Sequence, residues 1–441
     1  MSDHSQNQDF ATLFRNSAPY INAFRNRTFV VVFSGEALLA DNFDTLVHDF
    51  ALLHSLGIRL VLVYGARPQI NQRLQQQGLT TPLHNNVRIT DEHALQCVKE
   101  AVGSVRTDIE ALLTMGFANS PMAGARLRVT SGNFVIAKPY GVREGIDYLH
   151  TGEIRRIDAP AINKQLDDGT IVLLSPLGYS PTGEVFNVTA ESVATATASA
   201  LNAHKLIYLT ERLQLTDDQN LPVHELSVQA TQQLLENHAQ LDDDLRHILV
   251  SAVQVCQHGV RRVHVIDRTI DGALLQELFT RDGVGTLINS DHYEDTKAAV
   301  IDDVPGILEL IKPLEQQGVL VRRSRERLEM EIDKFTIVER DGMVVACASL
   351  YPFEGSTVAE LACLAVHLDY QKHGRGDTLL SYIEGLAKQQ GISQLFVLST
   401  QTSHWFQERG YVASDIEALP VQKQVMYNYQ RNSKVFIKQL L

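Results

Sequence analysis

The chain has 441 residues, more than a single hydrophobic core usually holds, so two domains are expected. Hydrophobic residues make up 44% of the chain and charged residues 21%, which are the proportions of a folded globular protein rather than of a disordered or fibrous one. The net charge of −13 and the lack of a long basic cluster argue against binding to nucleic acid or to an acidic membrane surface.

The cysteines are scattered along the chain as Cys97, Cys256, Cys347 and Cys363, and they form no C-x-x-C pair. This spacing argues against a zinc site and against a disulfide framework, and we expect no metal. The polar start of the chain differs from a secretory signal, and no apolar run reaches the ~18 residues of a membrane span. These features predict a cytoplasmic protein with no membrane partner.

In the first part of the chain, strand and helix patterns alternate. Residues 1–10 are expected to be disordered, and an apolar stripe over 9–24 predicts a packing or oligomer-contact helix that is kinked or split at Pro19. Strands are predicted over 29–33, 59–64, 171–178, 205–210 and 262–267, with a helix over 42–56. This order indicates parallel strands with crossover helices, whose ligands bind beyond the strand ends at the Ser34-Gly35 and Gly65 turns.

A polar stretch over 289–296 is predicted to be a linker. We therefore expect an N-terminal arm over 1–25, a first domain over 26–288 and a second domain over 297–441. In the second domain the pattern predicts helices over 303–317, 324–331 and 378–388, a hairpin over 335–350, strands over 361–366 and 394–398, and a strand in the tail over 424–439 that closes the sheet.

A glycine loop with the pattern Q-x-x-G-x-G, from Gln371 to Gly376, lies between the predicted strand and helix. Such a loop directs backbone N–H groups toward one point beside a helix N-terminus, where a pyrophosphate can bind. It lacks the lysine of a P-loop and the third glycine of a dinucleotide loop, and an ordinary glycine turn is the alternative. The pattern resembles the acetyl-CoA loop of the GNAT acetyltransferases, and the later aromatic segment that ends in Gly410-Tyr411 matches the same superfamily.

This resemblance implies a GNAT-type α/β domain with a mixed sheet, in which acetyl-CoA contacts the strand, the loop and the start of the helix. The residues that it assigns to the cofactor are Cys363, Leu364, Ala365, Val366, Gln371, His373, Gly374, Arg375, Gly376, Asp377 and Thr378.

The first domain resembles the amino acid kinase family, closest to the acetylglutamate kinases, in the segments 65–71, 88–91, 187–191 and 279–286. The resemblance implies a three-layer α/β/α domain with a mainly parallel sheet. Family members carry a lysine before paired glycines at the first strand, whereas Val32-Phe33-Ser34-Gly35 has no lysine and one glycine. Because that lysine stabilises the transferred phosphate, we expect a kinase fold that no longer phosphorylates.

A kinase-like domain before an acetyltransferase domain resembles the bacterial N-acetylglutamate synthase family over nearly the whole length. The resemblance implies acetyl transfer from acetyl-CoA to the α-amine of L-glutamate by direct attack, as the first step of arginine biosynthesis. It also implies a homo-oligomer, expected to be a hexamer, and feedback inhibition by L-arginine bound to the first domain. The residues that match the arginine-binding pattern are Tyr20, His264, Glu277, Phe279, Gly283, Gly285 and Thr286. A solvated helix position for Glu277 and ordinary turns for the glycines are the alternatives.

Direct attack requires a base, a polarised thioester and a proton donor for the leaving thiolate. We expect Glu360, near the start of the predicted strand, to be the base, with a surface charge as the alternative. Ser399, where two neighbouring strands should diverge, is a candidate either to bind substrate or to protonate the thiolate, with Thr400 and Tyr411 as rivals. A strand-end cap for Ser399 and a core aromatic for Tyr411 are the alternatives. Cys363 is expected to be a buried structural cysteine rather than an acylated nucleophile.

The two carboxylates of glutamate need cationic partners. Arg323 is the first choice, and the other candidates are Arg322, Arg325, Lys423 and Arg431, with a solvated basic face as the alternative for Arg322 and Arg325.

The sequence is compatible with two other functions. One is an active acetylglutamate or other amino acid kinase with an accessory acetyltransferase domain, against which the missing lysine argues. The other is a non-catalytic arginine sensor, against which the cofactor loop argues.

Overall fold

The structure is a computed structural model that describes residues 2–84, 86–115, 122–211, 215–216, 222–237, 241–280, 283–289, 295–340, 343–353, 355–371, 375–401, 403–429 and 431–440. The chain divides into two compact units, Met1–His292 and Tyr293–Leu441. Within the described ranges, no helix is both long enough and apolar enough to cross a bilayer.

The first unit alternates strands and helices. Its strands are β1 (Thr28–Phe33), β2 (Arg59–Tyr64), β3 (Leu83–His84), β4 (Val87–Arg88), β5 (Val129–Thr130), β6 (Val135–Pro139), β7 (Val142–Arg143), β8 (Ile146–Asp147), β9 (Gly152–Ile157), β10 (Ile171–Leu174), β11 (Leu177–Tyr179), β12 (Val185–Asn187), β13 (Lys205–Thr210), β14 (Glu225–Ser227), β15 (Arg262–Asp267) and β16 (Thr286–Asn289). Its helices are α1 (Ser2–Phe24), α2 (Phe43–Ser55), α3 (Arg67–Gln76), α4 (Glu92–Thr114), α5 (Ala159–Asp167), α6 (Ala190–Ala200), α7 (Val228–Asn237), α8 (Asp243–Gln257) and α9 (Ala273–Phe279).

An eight-stranded sheet in the order β14-β16-β15-β13-β1-β2-β10-β5 forms the middle layer of this unit. Its pairs are parallel except for β15 with β16. Along the fully buried β1, Phe29 and Val31 pack into an apolar cluster with α2 and α4. Val30 and Val32 pack into a second cluster, with α6 and α8 on the other face. The predicted three-layer α/β/α architecture with a mainly parallel sheet is therefore confirmed.

The strand predicted over 171–178 is in fact two strands that belong to different sheets. Residues Ile171–Leu174 join the eight-stranded sheet as β10, whereas Leu177–Tyr179 form β11 in a four-stranded sheet of order β12-β11-β6-β9. Pro176 lies at the change, and a proline cannot donate a hydrogen bond to a neighbouring strand. The prediction of one continuous strand was therefore wrong.

The N-terminal arm is a single helix, Ser2–Phe24, with Pro19 inside it, so the predicted split at Pro19 was wrong. Tyr20 and Phe24 are buried, and the Ser17 hydroxyl donates to the carbonyl of Phe279 over 3.0 Å. A proline removes one backbone hydrogen bond from a helix, and burial of the following turn outweighs that loss here.

The second unit contains strands β17 (Asp295–Ala298), β18 (Phe335–Arg340), β19 (Met343–Pro352), β20 (Val358–Val366), β21 (Gln394–Ser399), β22 (Val412–Ser414) and β23 (Lys434–Gln439). Its helices are α10 (Val304–Gln316), α11 (Arg325–Met330), α12 (Arg375–Gln389), α13 (Ser403–Gln407) and α14 (Val421–Val425). The strands form one seven-stranded sheet in the order β17-β18-β19-β20-β21-β23-β22. The β20–β21 pair is parallel and the neighbouring pairs are antiparallel, which confirms the predicted mixed sheet.

The tail differs from the single strand predicted over 424–439. Val421–Val425 form the short helix α14, and β23 begins only at Lys434. The alternation around Val425 and Met426 was misleading because both side chains are exposed rather than packed on a sheet. The predicted linker over 289–296 overlaps the end of β16 and the start of β17, and its middle, residues 290–294, lies outside the described residues.

Candidate functional site

Two parallel strands diverge at the centre of the second unit. Strands β20 and β21 pair from Val358–Gln394 to Leu361–Val397, and there their pairing ends. β20 continues to Val366 and β21 continues to Ser399 with no further pairing between them, while β21 remains paired with β23 along its other edge. A gap therefore opens between the two strands, as expected from the sequence for the entry of a cofactor.

A β-bulge lies where this gap begins. Ser349 of β19 opposes Ala362, but Cys347 opposes Ala365, so β20 contains one extra residue. Within the bulge Cys363 has a φ of 53°, a left-handed conformation that costs a non-glycine residue about 1–2 kcal/mol. The Cys347 thiol donates to the Cys363 carbonyl over 3.6 Å. Local strain of this kind is typical of functional sites, where the surrounding structure maintains it.

The bulge also changes which side of the sheet each residue faces. Leu361 packs with α12, whereas Cys363 and Ala365 pack with α10 and α11 on the opposite face. Leu364 and Val366 contact the α12 side. The segment predicted to hold the cofactor therefore contributes side chains to both faces, and its backbone borders the gap.

The predicted cofactor loop is partly described. The Gln371 side chain donates to the carbonyl of Val366 over 3.3 Å, and Arg375, the first residue of α12, donates to the carbonyl of Tyr370 over 3.1 Å. His373 and Gly374 lie outside the described residues. The N-terminus of α12 follows directly after the gap-bordering strand, which is a favourable place for the phosphates of a nucleotide cofactor.

The first turn of α12 is fixed by internal contacts. Asp377 forms an ion pair with Arg409, whose hydrogen bond holds the pKa of that carboxyl below its usual value. A Cβ on Gly376 would lie 3.0 Å from the ring of Trp405, so this position leaves little room for a side chain. Thr378 is exposed. Asp377 therefore anchors the helix through Arg409, and its carboxylate is already engaged.

Glu360 lies on the face opposite α12. It is 8% exposed, and both of its carboxylate oxygens accept from the Lys423 ammonium, over 2.7 and 2.6 Å. Lys423, which was predicted to bind substrate, thus contacts the predicted base. An incoming amine reaches Glu360 only by sharing or displacing this partner.

The structure separates the two candidate proton donors. Ser399 is buried at the end of β21, beside the gap, and by alternation along the strand it faces the same side as Val397, toward α12. The Tyr411 hydroxyl instead donates to Glu384 over 3.3 Å. Glu384 is in about the third turn of α12, away from the N-terminus of that helix. Burial, and then Glu384, raise the pKa of Tyr411 far above its usual value. Its placement is that of a core aromatic and does not fit the catalytic assignment.

Two of the predicted substrate arginines come together. Arg431 donates to the carbonyl of Val319, and burial followed by the neighbouring Arg323 charge lowers the pKa of Arg431. The Nε groups of Arg323 and Arg431 are both buried without a hydrogen-bond partner among the described residues. Guanidinium groups with unused donors are suited to hydrogen bonding with an anion.

The remaining two arginines have ordinary surface positions. Arg322 is exposed, and Arg325 is exposed and pairs with Glu329 one helical turn away. Neither joins the Arg323–Arg431 cluster.

The predicted regulatory residues of the first unit form a buried cluster around Glu277. One oxygen of Glu277 accepts from His264 over 2.6 Å, and the other accepts from the backbone N–H groups of Val284 and Gly285, both over 2.8 Å. The other ring nitrogen of His264 accepts from the Lys205 ammonium over 3.0 Å. In this arrangement the Glu277 carboxylate occupies the backbone N–H groups of the turn that contains Gly283 and Gly285.

The other residues of the predicted arginine pattern surround this cluster. Phe279 ends α9, two residues after Glu277, and its ring packs against Phe24 of α1, one turn after Tyr20. A Cβ on Gly283 would lie 2.3 Å from the Glu277 carboxylate. Thr286 starts β16, where its hydroxyl donates to the carbonyl of Val223 over 2.6 Å. The structure thus brings the predicted set together.

The Glu211 carboxylate, directly after β13, faces the Ser34-Gly35 turn after β1. In amino acid kinases the corresponding turn holds the transferred phosphate. The Ser34 hydroxyl donates to Glu211 over 3.1 Å, and Glu211 is paired through both oxygens with Arg268. A negative charge at this turn repels a phosphate, and the Arg268 charge is neutralised by Glu211.

Sequence reasoning missed Lys205, Glu211 and the bulge at Cys363. A lysine at the start of an otherwise apolar strand is an unusual pattern, and it could have signalled that Lys205 is buried. No local signal marks the other two, because they depend on which strands are neighbours.

Acid should destabilise the first unit through His264. Burial, with a further contribution from Lys205, lowers the pKa of His264 to about 4 from 6.5, so between these values the unfolded chain binds more protons than the folded one. Folding stability therefore falls as the pH is lowered, by about 2 kcal/mol between pH 7 and pH 5. The Glu277 pKa is lowered to about 2, so its contribution is lost only below pH 4.5.

The measurement is urea unfolding followed by circular dichroism at both pH values. His264→Gln keeps a hydrogen-bond donor without the titration, so its stability should change by about 2 kcal/mol less over this range. Substitution of the exposed His93 by glutamine is the control and should behave as the wild type. Equal pH dependence in H264Q and wild type would contradict this assignment.

Two family models match the chain. The amino acid kinase family matches residues 27–267, and the acetyltransferase (GNAT) family matches residues 304–411. Each range lies within one of the two compact units, and the GNAT range contains the diverging strands and the start of α12.

Named relatives match the chain over its whole length. It is 54% identical to the amino-acid acetyltransferase of Ectopseudomonas mendocina over 433 residues, which are 98% of this chain and 100% of the relative. It is 55% identical to that of Azotobacter vinelandii over 434 residues, with the same coverage.

Solved structures agree with this match. The structure of N-acetylglutamate synthase from Neisseria gonorrhoeae with coenzyme A and L-arginine has a TM-score of 0.87 and 38% identity, covering 98% of this chain and 99% of that one. The complex of the same enzyme with coenzyme A and N-acetyl-glutamate has a TM-score of 0.63 at 39% identity and the same coverage. The chain is thus an acyltransferase and belongs to the amino-acid acetyltransferase family that includes N-acetylglutamate synthase.

Proposed function

We propose that the chain transfers the acetyl group of acetyl-CoA to the α-amine of L-glutamate, which gives N-acetyl-L-glutamate and CoA. The observation that carries this proposal is the gap between β20 and β21, with a buried carboxylate on one face of the sheet and the N-terminus of α12 on the other. An amine and a thioester can then approach the same gap from opposite faces.

On the α12 face, the backbone of β20 from Cys363 to Val366 binds the pantetheine arm, and the helix N-terminus with the preceding loop binds the pyrophosphate. The unpaired edge of β20 supplies N–H groups that polarise the thioester carbonyl. The gonococcal synthase complexes with coenzyme A support this assignment. Ser399, beside the gap on this face, protonates the departing thiolate.

On the opposite face, Arg323 and Arg431 bind a carboxylate of the acceptor, since their buried Nε groups have donors to offer. Glu360 accepts the proton of the ammonium group, directly or through water. A relative crystallised with N-acetyl-glutamate supports a dicarboxylic acceptor.

The first unit provides regulation in this proposal. L-Arginine binds at the cluster around Glu277, where its guanidinium group replaces some of the internal hydrogen-bond partners of the Glu277 carboxylate. It inhibits by stabilising one conformational state over another. The gonococcal complex with L-arginine supports this role. A hexamer remains the expected assembly, and light scattering would measure its mass.

Kinase activity of the first unit is the weaker candidate. The turn after β1 lacks the lysine, and Glu211 faces it. Both features oppose binding of the transferred phosphate.

The first prediction is that purified protein releases CoA thiol from acetyl-CoA in the presence of L-glutamate. Glutamine, aspartate and the other proteinogenic amino acids serve as alternative acceptors in the same thiol assay. Absence of glutamate-dependent release would refute the proposed function. Release that added L-arginine leaves unchanged would retain the acetyltransferase and remove the regulatory proposal.

Replacement of the proposed base should slow the chemical step. Glu360→Gln removes the proton acceptor and is expected to lower kcat by about 10²–10⁴-fold, with a much smaller effect on KM for acetyl-CoA. Steady-state kinetics with the thiol assay measure both constants. The control is Glu417→Gln, an exposed residue of the same unit, which should retain wild-type kcat. A kcat for E360Q within about twofold of wild type would assign the base elsewhere.

Loss of the Glu277 charge should remove arginine sensitivity without affecting catalysis. A buried carboxylate whose pKa is lowered to about 2 is ionised and can balance a guanidinium. In Glu277→Gln the arginine concentration for half-inhibition is expected to rise at least about tenfold, because a charge-assisted hydrogen bond is lost. Glu236→Gln, on an exposed part of α7, is the matched control. Unchanged inhibition in E277Q would place the arginine site elsewhere.

A further inference from the structure

A lysine that the proposed mechanism does not use covers the proposed base. The Lys423 ammonium donates to both carboxylate oxygens of Glu360, over 2.7 and 2.6 Å. The two side chains are 21% and 11% exposed, so solvent screens this ion pair less than it screens a surface pair. A cation on both oxygens offsets the negative charge that attracts the ammonium group of an acceptor. The base is therefore masked, and an acceptor has to unmask it.

The segment that carries Lys423 is anchored at its two ends. Leu419 and Tyr427 are buried in one apolar cluster with Phe396. Phe396 is the partner of Glu360 in the parallel register of β20 and β21, so the two side chains lie next to each other on one face of the sheet. Lys423, between the two anchors, is thus held above the base.

The middle of this segment is the short helix α14, which the structure describes throughout and in which no side chain is buried. Val421 and Val425 are 74% and 82% exposed, whereas Lys423 reaches Glu360. The Gln424 side chain donates to two carbonyls of its own segment, 417–424, over 3.0 and 2.8 Å. Release of Lys423 from Glu360 therefore disturbs little apolar packing by α14.

An α-amino acid brings both groups that an exchange of partners needs. Its ammonium group can replace Lys423 at Glu360, and its α-carboxylate, attached to the same carbon atom, then lies beside the displaced lysine. The lysine side chain is flexible and has three donors, so a short movement transfers it from the base to the α-carboxylate. An amine without an α-carboxylate displaces Lys423 with no anion to receive it, which leaves a partly buried charge unpaired.

We propose that Lys423 masks Glu360 until an acceptor binds and then moves to the α-carboxylate of the acceptor, so that it selects α-amino acids over amines that lack this group. This inference rests on the proposed function, since it concerns the acceptor of that reaction. Arg323 and Arg431 then bind the side-chain carboxylate. Lys423 is thus a specificity-determining residue that touches the substrate.

The test is Lys423→Met, which keeps an unbranched side chain and removes the charge. The thiol assay compares L-glutamate with L-isoglutamine, its α-amide, which retains the amine and the side-chain carboxylate. Wild-type protein should prefer glutamate. In K423M the ratio of the kcat/KM values for glutamate and isoglutamine should fall at least about tenfold, because glutamate loses a charge-assisted hydrogen bond and isoglutamine no longer displaces a lysine.

Two further variants and a third acceptor complete the experiment. Lys423→Arg keeps the charge, so its ratio should stay closer to wild type than that of K423M. Lys388→Met, at an exposed position in the last turn of α12, is the matched control and should behave as the wild type. The preference for glutamate over glutamine reports on the side-chain carboxylate and should stay within about threefold of wild type in K423M.

The outcomes are distinguishable. If wild-type protein uses glutamate and K423M keeps its preference over isoglutamine, selection by Lys423 is overturned and the proposed function stands. The same holds if K423R loses that preference as fully as K423M, or if K423M loses activity equally with all three acceptors. If wild-type protein shows no glutamate-dependent release of CoA, the proposed function is overturned and the role of Lys423 with it.

Discussion

The second unit depends on one departure from regular pairing, the divergence of the parallel strands β20 and β21 after Leu361 and Val397. Interior strands of a sheet normally use all their N–H and C=O groups on each other. Beyond Leu361, the edge of β20 that faces β21 is unpaired, although β20 lies in the middle of the sheet. The bulge at Cys363 rotates the following residues and stores about 1–2 kcal/mol of left-handed backbone strain. The surrounding antiparallel pairs on both sides maintain this opening.

The opening places different chemistry on the two faces of one sheet. The N-terminus of α12 and Ser399 lie on one face, where an anionic cofactor is favoured. Glu360 with Lys423 and the Arg323–Arg431 cluster lie on the other, where charged side chains are buried enough for their interactions to be strong. In the proposed reaction this separation lets the acceptor amine meet the thioester at the gap while the base and the proton donor stay apart. A base and an acid in direct contact would exchange a proton with each other instead.

In the first unit, an internal ion pair and a set of internal hydrogen bonds occupy the places where ligands were expected. Glu211 with Arg268 closes the turn after β1, and Glu277 accepts from His264 and from two backbone N–H groups. Both carboxylates are satisfied by the protein itself. The Glu211–Arg268 ion pair opposes binding of a phosphate at the turn after β1. The buried Glu277 carboxylate, in contrast, can exchange its hydrogen-bond partners for those of a ligand. A regulatory ligand at Glu277 therefore competes with existing hydrogen bonds, which is how binding there can be coupled to a change of conformation.

The sequence by itself determined the two-domain organisation, the alternation of strands and helices in the first domain and the strand, loop and helix order around Gln371, because these follow from local periodicity and turn residues. It also identified Arg323, Arg431, Glu360 and the residues around Glu277 as candidates. Only the tertiary structure decided which of these groups meet. The pairing of Lys423 with Glu360, the orientation of Tyr411 toward Glu384 and the helix in place of the predicted tail strand at Val421–Val425 all depend on contacts between distant segments. The physical reason is that periodicity specifies which side of an element is apolar, whereas the partner of a buried charge is set by the packing of whole elements.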